Sequence, residues 1–211
     1  MEHKITALRI QKNNQGRVNV YLDDKFAFGL ARIVAAWLSV GQELSDDKIA
    51  QLQAEDNREV AYKQAIHFLS YRIRTEKEIR NNLSDHAIPN EAIDLVINRL
   101  KHNGLLDDNH FAQSWVENRS DFRPRSKRAL AYELHSLGIE AQIIEETLAK
   151  LNDEKLAYQA ATKHAKKLSG LDWVNFRKKL IAFLARRGFD YQISASVTSQ
   201  VWAEQQEVVD E

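Results

Sequence analysis

The pattern Ile/Leu-x-x-x-Leu, with another apolar residue five positions after the final Leu, recurs in three registered copies along this chain, and the recurrence limits the folds open to it more than any other feature. Aligning Leu83, Leu134 and Leu184 brings Ile79, Leu130 and Leu180 into register four residues earlier, with Ile88, Ile139 and Phe189 five residues later. Each copy then enters a second periodic stretch: Ile93, Ile97 and Leu100; Ile144, Leu148 and Leu151; Ile193, Val197 and Val201. The aligned leucines are 51 and 50 residues apart, too far for a helical hairpin and enough for three helices. A tandem array, in which each unit buries its apolar face partly against the next, follows from that period. Gly138 and Gly188 precede the late apolar residue in two copies, and Ala87 does so in the first.

Local punctuation agrees with the period. Gly104 stops one helix and Asp107 or Asp108 caps the next, whose apolar face is Phe111, Trp115 and Val116. That helix ends by Arg123-Pro124, because proline pushes its predecessor out of the α region and lacks the donor a helix interior needs. A second helix runs from about Ser126 to Gly138 with Leu130, Tyr132, Leu134 and Leu137 as its apolar positions. In the first unit Ala61, Ala65, Phe68 and Leu69 share a face, Thr75-Glu76-Lys77-Glu78 has the capping-box form, and Pro89 suits a first helical turn. In the third, Leu156, Ala157, Ala160, Ala161 and Ala165 form a small-residue face, Asp172 caps the next helix, and Tyr191 to Trp202 forms the last. Glu204 to Glu211 is expected to be a frayed acidic end.

The first residues read differently. Val18, Val20 and Leu22 alternate with Arg17, Asn19 and Tyr21 after the turn segment Asn13 to Gly16, which is a β-hairpin signature with Ile5, Ala7, Leu8 and Ile10 on the preceding strand. Phe26 to Phe28 adds a third strand, Ala31 to Leu38 reads as a short apolar helix, and Ser45 caps another helix through about Ala54. The expected fold is therefore mainly α: tandem three-helix, helix-turn-helix-like repeats in an elongated array, preceded by a small β-hairpin-containing module. The divisions are residues 1–56 for that module, 57–106, 107–152 and 153–211 for the repeats, the last with the acidic tail.

Of 211 residues 44% are hydrophobic, enough for a sizeable core, and there is no cysteine for a disulfide or thiolate metal site. The longest apolar run, Ile33 to Leu38, falls far short of the ~20 residues that span a bilayer, and no export signal is evident, so a cytoplasmic protein is expected. The 30 basic and 30 acidic residues cancel, but between Lys163 and Arg187 eight basic residues face one acid, Asp172. The turn between the two helices of the second unit likewise holds Arg119, Arg123, Arg125, Lys127 and Arg128 against Asp121. Cationic corners of this kind suit phosphates or an acidic protein surface. The seven histidines are scattered without metal-ligand spacing, Asp107-Asp108 reads as a cap, and no nucleophile elbow or Gly-rich phosphate loop occurs. No catalytic residue, cofactor or metal is expected. The aromatic residues at helical spacing are core candidates, whereas Tyr71, Phe122 and Tyr191 lie at helix ends beside basic residues.

The segments FLSYRIRTEKEIRNNL (Phe68 to Leu83), GLLDDNHFAQSWVENR (Gly104 to Arg119), RPRSKRALAYELHSLGI (Arg123 to Ile139) and FLARRGFDYQI (Phe183 to Ile193) resemble, in this order, the RecX family of bacterial regulators of the recombinase RecA. The resemblance covers most of Asn57 to Gln205. It implies a non-enzymatic protein that binds along the groove of the RecA–DNA filament and inhibits strand exchange, ATP hydrolysis and coprotease activity in DNA repair and the SOS response. The surface expected to make the contact is Arg72, Arg74, Lys77 and Arg80 on the first unit, Arg119, Arg123, Arg125, Lys127 and Arg128 on the second, and Arg177, Lys178, Arg186 and Arg187 on the third. The expected partner is that filament, met by a monomer, with direct contact to single- or double-stranded DNA left open. A DNA-binding transcription regulator and a purely structural repeat scaffold are the competing readings of the same helices.

Overall fold

The structure, a computed structural model, describes residues 1–207; the last part of the expected acidic end, 208–211, lies outside the described residues. The chain divides into two compact units, Met1–Arg74 with Glu78–Leu106, and Thr75–Lys77 with Asp107–Glu211.

The first unit opens with an antiparallel sheet of β1 (Glu2–Gln11), β2 (Asn14–Leu22), β3 (Lys25–Ala31) and β4 (Glu43–Ser45), in the order β3-β2-β1-β4. Alternation along β2 does what the sequence pattern requires: Val18, Val20 and Leu22 are buried with Ile5, Leu30 and Leu44 in one cluster. The two-residue turn between β2 and β3 has both central residues, Asp23 and Asp24, at positive φ, the arrangement whose twist matches a hairpin. Ser45 then accepts a hydrogen bond from Lys48 N and starts α1, which runs without interruption from Asp46 to Leu69. The division drawn at 56/57 thus falls inside one helix. The residue at that point explains the continuity: Asp56 is buried and accepts hydrogen bonds from Ala31 N and from Arg17 Nη2 at 2.7 Å, fastening the sheet to the middle of α1.

The apolar helix expected over 31–38 is reduced to a 3-10 turn, Val34–Trp37. Ala31 is taken by β3 and Leu38 is extended; Val34 and Ala35 are buried while Trp37 lies 90% exposed. The rest of the unit is α2 (Glu76–Asp85), whose first two residues group with the second unit, and α3 (Asn90–His102).

The second unit holds two more helical triplets: α4 (Asp108–Phe122), α5 (Lys127–Ser136) and α6 (Ala141–Leu148), then α7 (Asp153–Ala165), α8 (Trp173–Arg186) and α9 (Tyr191–Glu207). The side chains of Asp107, Ser126, Asn152 and Asp172 cap α4, α5, α7 and α8 by accepting backbone N–H groups. Each repeat has its own hydrophobic cluster, and the aligned pairs Ile79/Leu83, Leu130/Leu134 and Leu180/Leu184 are all fully buried. The internal register read from the sequence is the register of the cores.

Tyr132 departs from the expected pattern. It is 78% exposed, since Leu130 and Leu134 already define the inward face of α5 and a residue two positions from each points away from it. The last helix continues past Trp202, where Glu204 accepts a hydrogen bond from Tyr158 Oη at 2.8 Å.

A candidate anion-binding cleft in the second unit

The turn after α4 is the organising element. Arg123 leaves the helical conformation at the end of α4, with φ −144° and ψ 67°, Pro124 is buried, and Ser126 begins α5. This turn packs on the end of α8 through backbone contacts. Ser126 N donates to Arg187 O at 3.1 Å, and Arg187 Nη1 donates to Pro124 O at 3.2 Å. From α7, Lys163 Nζ donates to Asp121 O at the end of α4. Between these elements lies a cleft of about 300 Å³ lined in part by Phe122, Lys163, His164, Lys167, Phe183 and Arg187.

Phe183 is its wall. The His164 ring lies parallel to it with centroids 3.8 Å apart, and the Arg187 guanidinium sits 4.9 Å from its centroid. Phe122 stands at the cleft 73% exposed. The electrostatics are one-signed. Arg187 is held below the ordinary guanidinium value by burial and then by Arg125 and Arg123. His164 is held below the usual imidazole value by burial, then by Lys167, Arg186 and Arg187. Glu133 accepts Arg119 Nε at 2.9 Å, pairs with Arg125 Nη1 at 2.8 Å and also accepts Trp115 Nε1, so this carboxylate is already committed. Arg123, Lys167 and Arg186 are exposed, and their side chains make no hydrogen bond or ion pair among the described residues. Such a place attracts a polyanion, with a flat apolar surface beside the charges.

The structure separates the cations picked from sequence into two kinds. Arg187 lines this cleft, and Arg123, Arg125 and Arg186 lie close enough for their charge to act on Arg187 or His164, Arg125 while paired with Glu133. Others are engaged within the fold: Arg72 and Arg74 pair with Glu78, Arg80 with Asp94 at 2.6 Å, and Arg119 with Glu133. Lys77 Nζ donates to Ser136 O, Arg128 reaches Gly188 O at 3.4 Å, and Arg177 donates to Tyr191 Oη at 2.9 Å. Lys127 contributes its backbone N–H to Asp153, and Lys178 is exposed. Sequence reasoning passed over Lys163, His164 and Lys167 as site residues. The signal was the spacing of Lys163, in the last turn of α7, and Lys167, four residues on in the 3-10 turn that follows it, with His164 beside the first.

The depressed His164 has a testable consequence. Its folded value lies below its unfolded one, so its contribution to stability is complete above pH ~6.5 and is lost as pH falls through the folded value. His3, on the first unit, is raised by Asp23 and Asp46 and carries the opposite sign: its contribution is present at low pH and lost as pH rises. The difference between wild type and His164→Gln isolates the first effect. Urea midpoints are expected to fall less steeply in the variant between about pH 7 and pH 5.

Among the described residues no grouping of His, Asp and Glu is placed to hold a metal ion, and no helix is long and apolar enough to cross a membrane. What fold and cleft define is a tandem three-helix repeat protein with a cationic junction. The chain belongs to the RecX family. Its residues 3–45 match the regulatory protein RecX N-terminal domain, and 61–100, 107–148 and 152–197 match the first, second and third three-helix domains of RecX. It is 32% identical to the regulatory protein RecX of Bacillus pumilus over 98% of this chain and 81% of that one. For the RecX of Levilactobacillus brevis the figures are 33%, 92% and 74%, and for that of Bacillus subtilis 31%, 96% and 79%. A crystal structure of regulatory protein RecX superposes with a TM-score of 0.74 at 27% identity, covering 93% of this chain and 99% of that chain. The RecX structure from Lactobacillus salivarius gives 0.61 at 26% identity, covering 70% and 97%.

Proposed function

We propose that this chain binds the RecA–DNA filament and inhibits its strand exchange, ATP hydrolysis and coprotease activities, limiting recombination in DNA repair and the SOS response. It acts as a cytoplasmic monomer and without chemistry of its own. Membership of a family of regulatory proteins supports the reading, and the observation that carries it is the cleft, where Lys163, Lys167 and Arg187 line the space beside Phe183 and Arg123, Arg125 and Arg186 add to its positive potential. Exposed cations there bind phosphates of the filament's DNA, and the open ring of Phe122 offers a surface on which a base stacks. Further contacts along the repeats add through effective concentration rather than individual strength.

Titration into RecA with single-stranded DNA and ATP tests this. Hydrolysis is expected to fall progressively with added chain, less at high salt; an unchanged rate at saturating excess overturns the proposal. Strong preference for one duplex sequence in the absence of RecA would instead mark a transcription regulator.

A further inference from the structure

Two grooves of the second unit stand apart from the cleft. One, of about 560 Å³, lies on α5 and α6: Ala131, Ile144 and Leu148 give it apolar lining, and Lys127 and Arg128 stand at the start of α5. The other, of about 540 Å³, lies on α8 and the start of α9, lined by Trp173, Ile181 and Tyr191 with Arg177 and Lys178.

Their positions in the repeat coincide. With Leu134 aligned on Leu184, Lys127 falls on Arg177, Arg128 on Lys178, and Ala131 on Ile181. The first repeat does not carry the same arrangement. Glu76 takes the place of the first cation, and Arg80, paired with Asp94, takes the place of the apolar lining residue. Both grooves keep large apolar groups in water: Tyr132 is 78% exposed, Val174 72% and Tyr191 66%. Arg177 donates to Tyr191 Oη at 2.9 Å and so fixes that ring at the groove.

Charge selects the occupant. Among the described residues Glu145 is the one acid lining the first groove, against Lys127 and Arg128, and no acid lines the second. A nucleic-acid backbone carries a charge at every nucleotide and calls for cations along its track. Here the cations are an adjacent pair and the rest of the lining is largely apolar, which suits a protein segment. We propose that the two grooves are equivalent docking sites for a protein partner. Each takes one acidic segment presenting an apolar side chain, and the pair is filled by successive copies of that segment on a repeating partner. This rests on the filament reading above, since a polymer of identical subunits supplies such copies, and two weak sites then combine through effective concentration.

The test uses the full chain with Tyr132→Glu, Val174→Glu and the double variant. Both positions are well exposed, so the fold is retained, as circular dichroism will verify. Binding is measured by sedimentation with preformed RecA filaments on single-stranded DNA and by anisotropy with naked single-stranded DNA. Each single change is expected to weaken filament binding roughly 5-fold to 10-fold and the double change roughly 25-fold to 100-fold, with naked-DNA binding within about twofold of wild type. The corresponding lysine variants should lose less than the glutamate ones. Wild-type filament binding by the double glutamate variant overturns the proposal, as do equal losses with lysine, or a parallel loss on naked DNA, which would assign the grooves to nucleic acid. A wild-type chain that does not sediment with filaments overturns the filament reading itself, and the grooves with it, before any variant is compared.

Discussion

Replacing Arg123, Lys167 and Arg186 together by alanine is expected to lower affinity for single-stranded DNA by about 100-fold at 0.1 M salt and to flatten the dependence of log K on log salt by about 2. Both figures follow from three lost phosphate contacts, each worth a slope of about 0.7 on a single strand. The three side chains come from different elements, the α4–α5 turn, the 3-10 turn after α7, and the end of α8, and are all exposed without partners among the described residues. Their removal should therefore leave the unfolding midpoint almost unchanged. Replacing Arg74 and Arg119 gives the contrast. Each is part-buried, lies over an aromatic ring at 3.9 and 4.4 Å respectively, and pairs with a glutamate, so their loss should reduce stability while moving the salt slope by less than about 1. An unchanged slope in the triple variant would remove the cleft as the phosphate site. The same variant titrated into the RecA ATPase assay reports whether DNA contact contributes to the inhibition proposed for this chain.

Why the three-helix repeats were legible and the cleft only partly so comes down to which forces are periodic. Leu83, Leu134 and Leu184 are fully buried because a helix face repeats along the chain, and the caps at Asp107, Ser126 and Asp172 sit where short polar side chains meet free backbone donors. Tyr132 shows where composition misleads: its ring reads as core, but its place on the helix turns it outward. Continuity of α1 was hidden for a related reason. The polar run Glu55-Asp56-Asn57-Arg58 looks like a break, yet Asp56 is satisfied by Ala31 N and Arg17, groups distant in sequence. The cations raise the same difficulty. A basic residue is equally basic in sequence whether a carboxylate such as Glu78 or Glu133 takes its charge or leaves it to solvent, so the choice of arginines was broader than the set that converges. His164 and Lys167 become part of a site only when α7 is laid against Phe183.

Ala87 and Gly188 occupy equivalent positions in the repeat, and opposite substitutions there should have opposite effects. All three residues of the series have positive φ, at 58° for Ala87, 88° for Gly138 and 90° for Gly188, because each follows a helix that closes by turning left-handed. Conformation alone costs a residue with a side chain about 1–2 kcal/mol. Ala87 bears that cost and is exposed. Gly188 has a second constraint: a Cβ there would lie 2.6 Å from Ser126 Oγ and 2.8 Å from Ala129 Cβ, at the point where α8 ends against the start of α5. Ser126 is buried and caps α5, so it has no free direction in which to withdraw. Overpacking of this kind adds about 1–3 kcal/mol, and Gly188→Ala is expected to destabilise the second unit by about 3–4 kcal/mol in urea unfolding. Ala87→Gly should instead be neutral or stabilising by less than about 1 kcal/mol, the relief of strain being offset by greater freedom of the unfolded chain. Gly138→Ala should cost about as much as Gly188→Ala: a Cβ there would lie 2.5 Å from Lys77 Cδ, which can swing away, but also 2.6 Å from Lys77 Cβ, which the backbone of α2 holds in place. If Gly188→Ala costs no more than about 1–2 kcal/mol, the share of the backbone conformation, the tight packing of α8 on α5 is not what selects glycine, and the left-handed turn alone accounts for it.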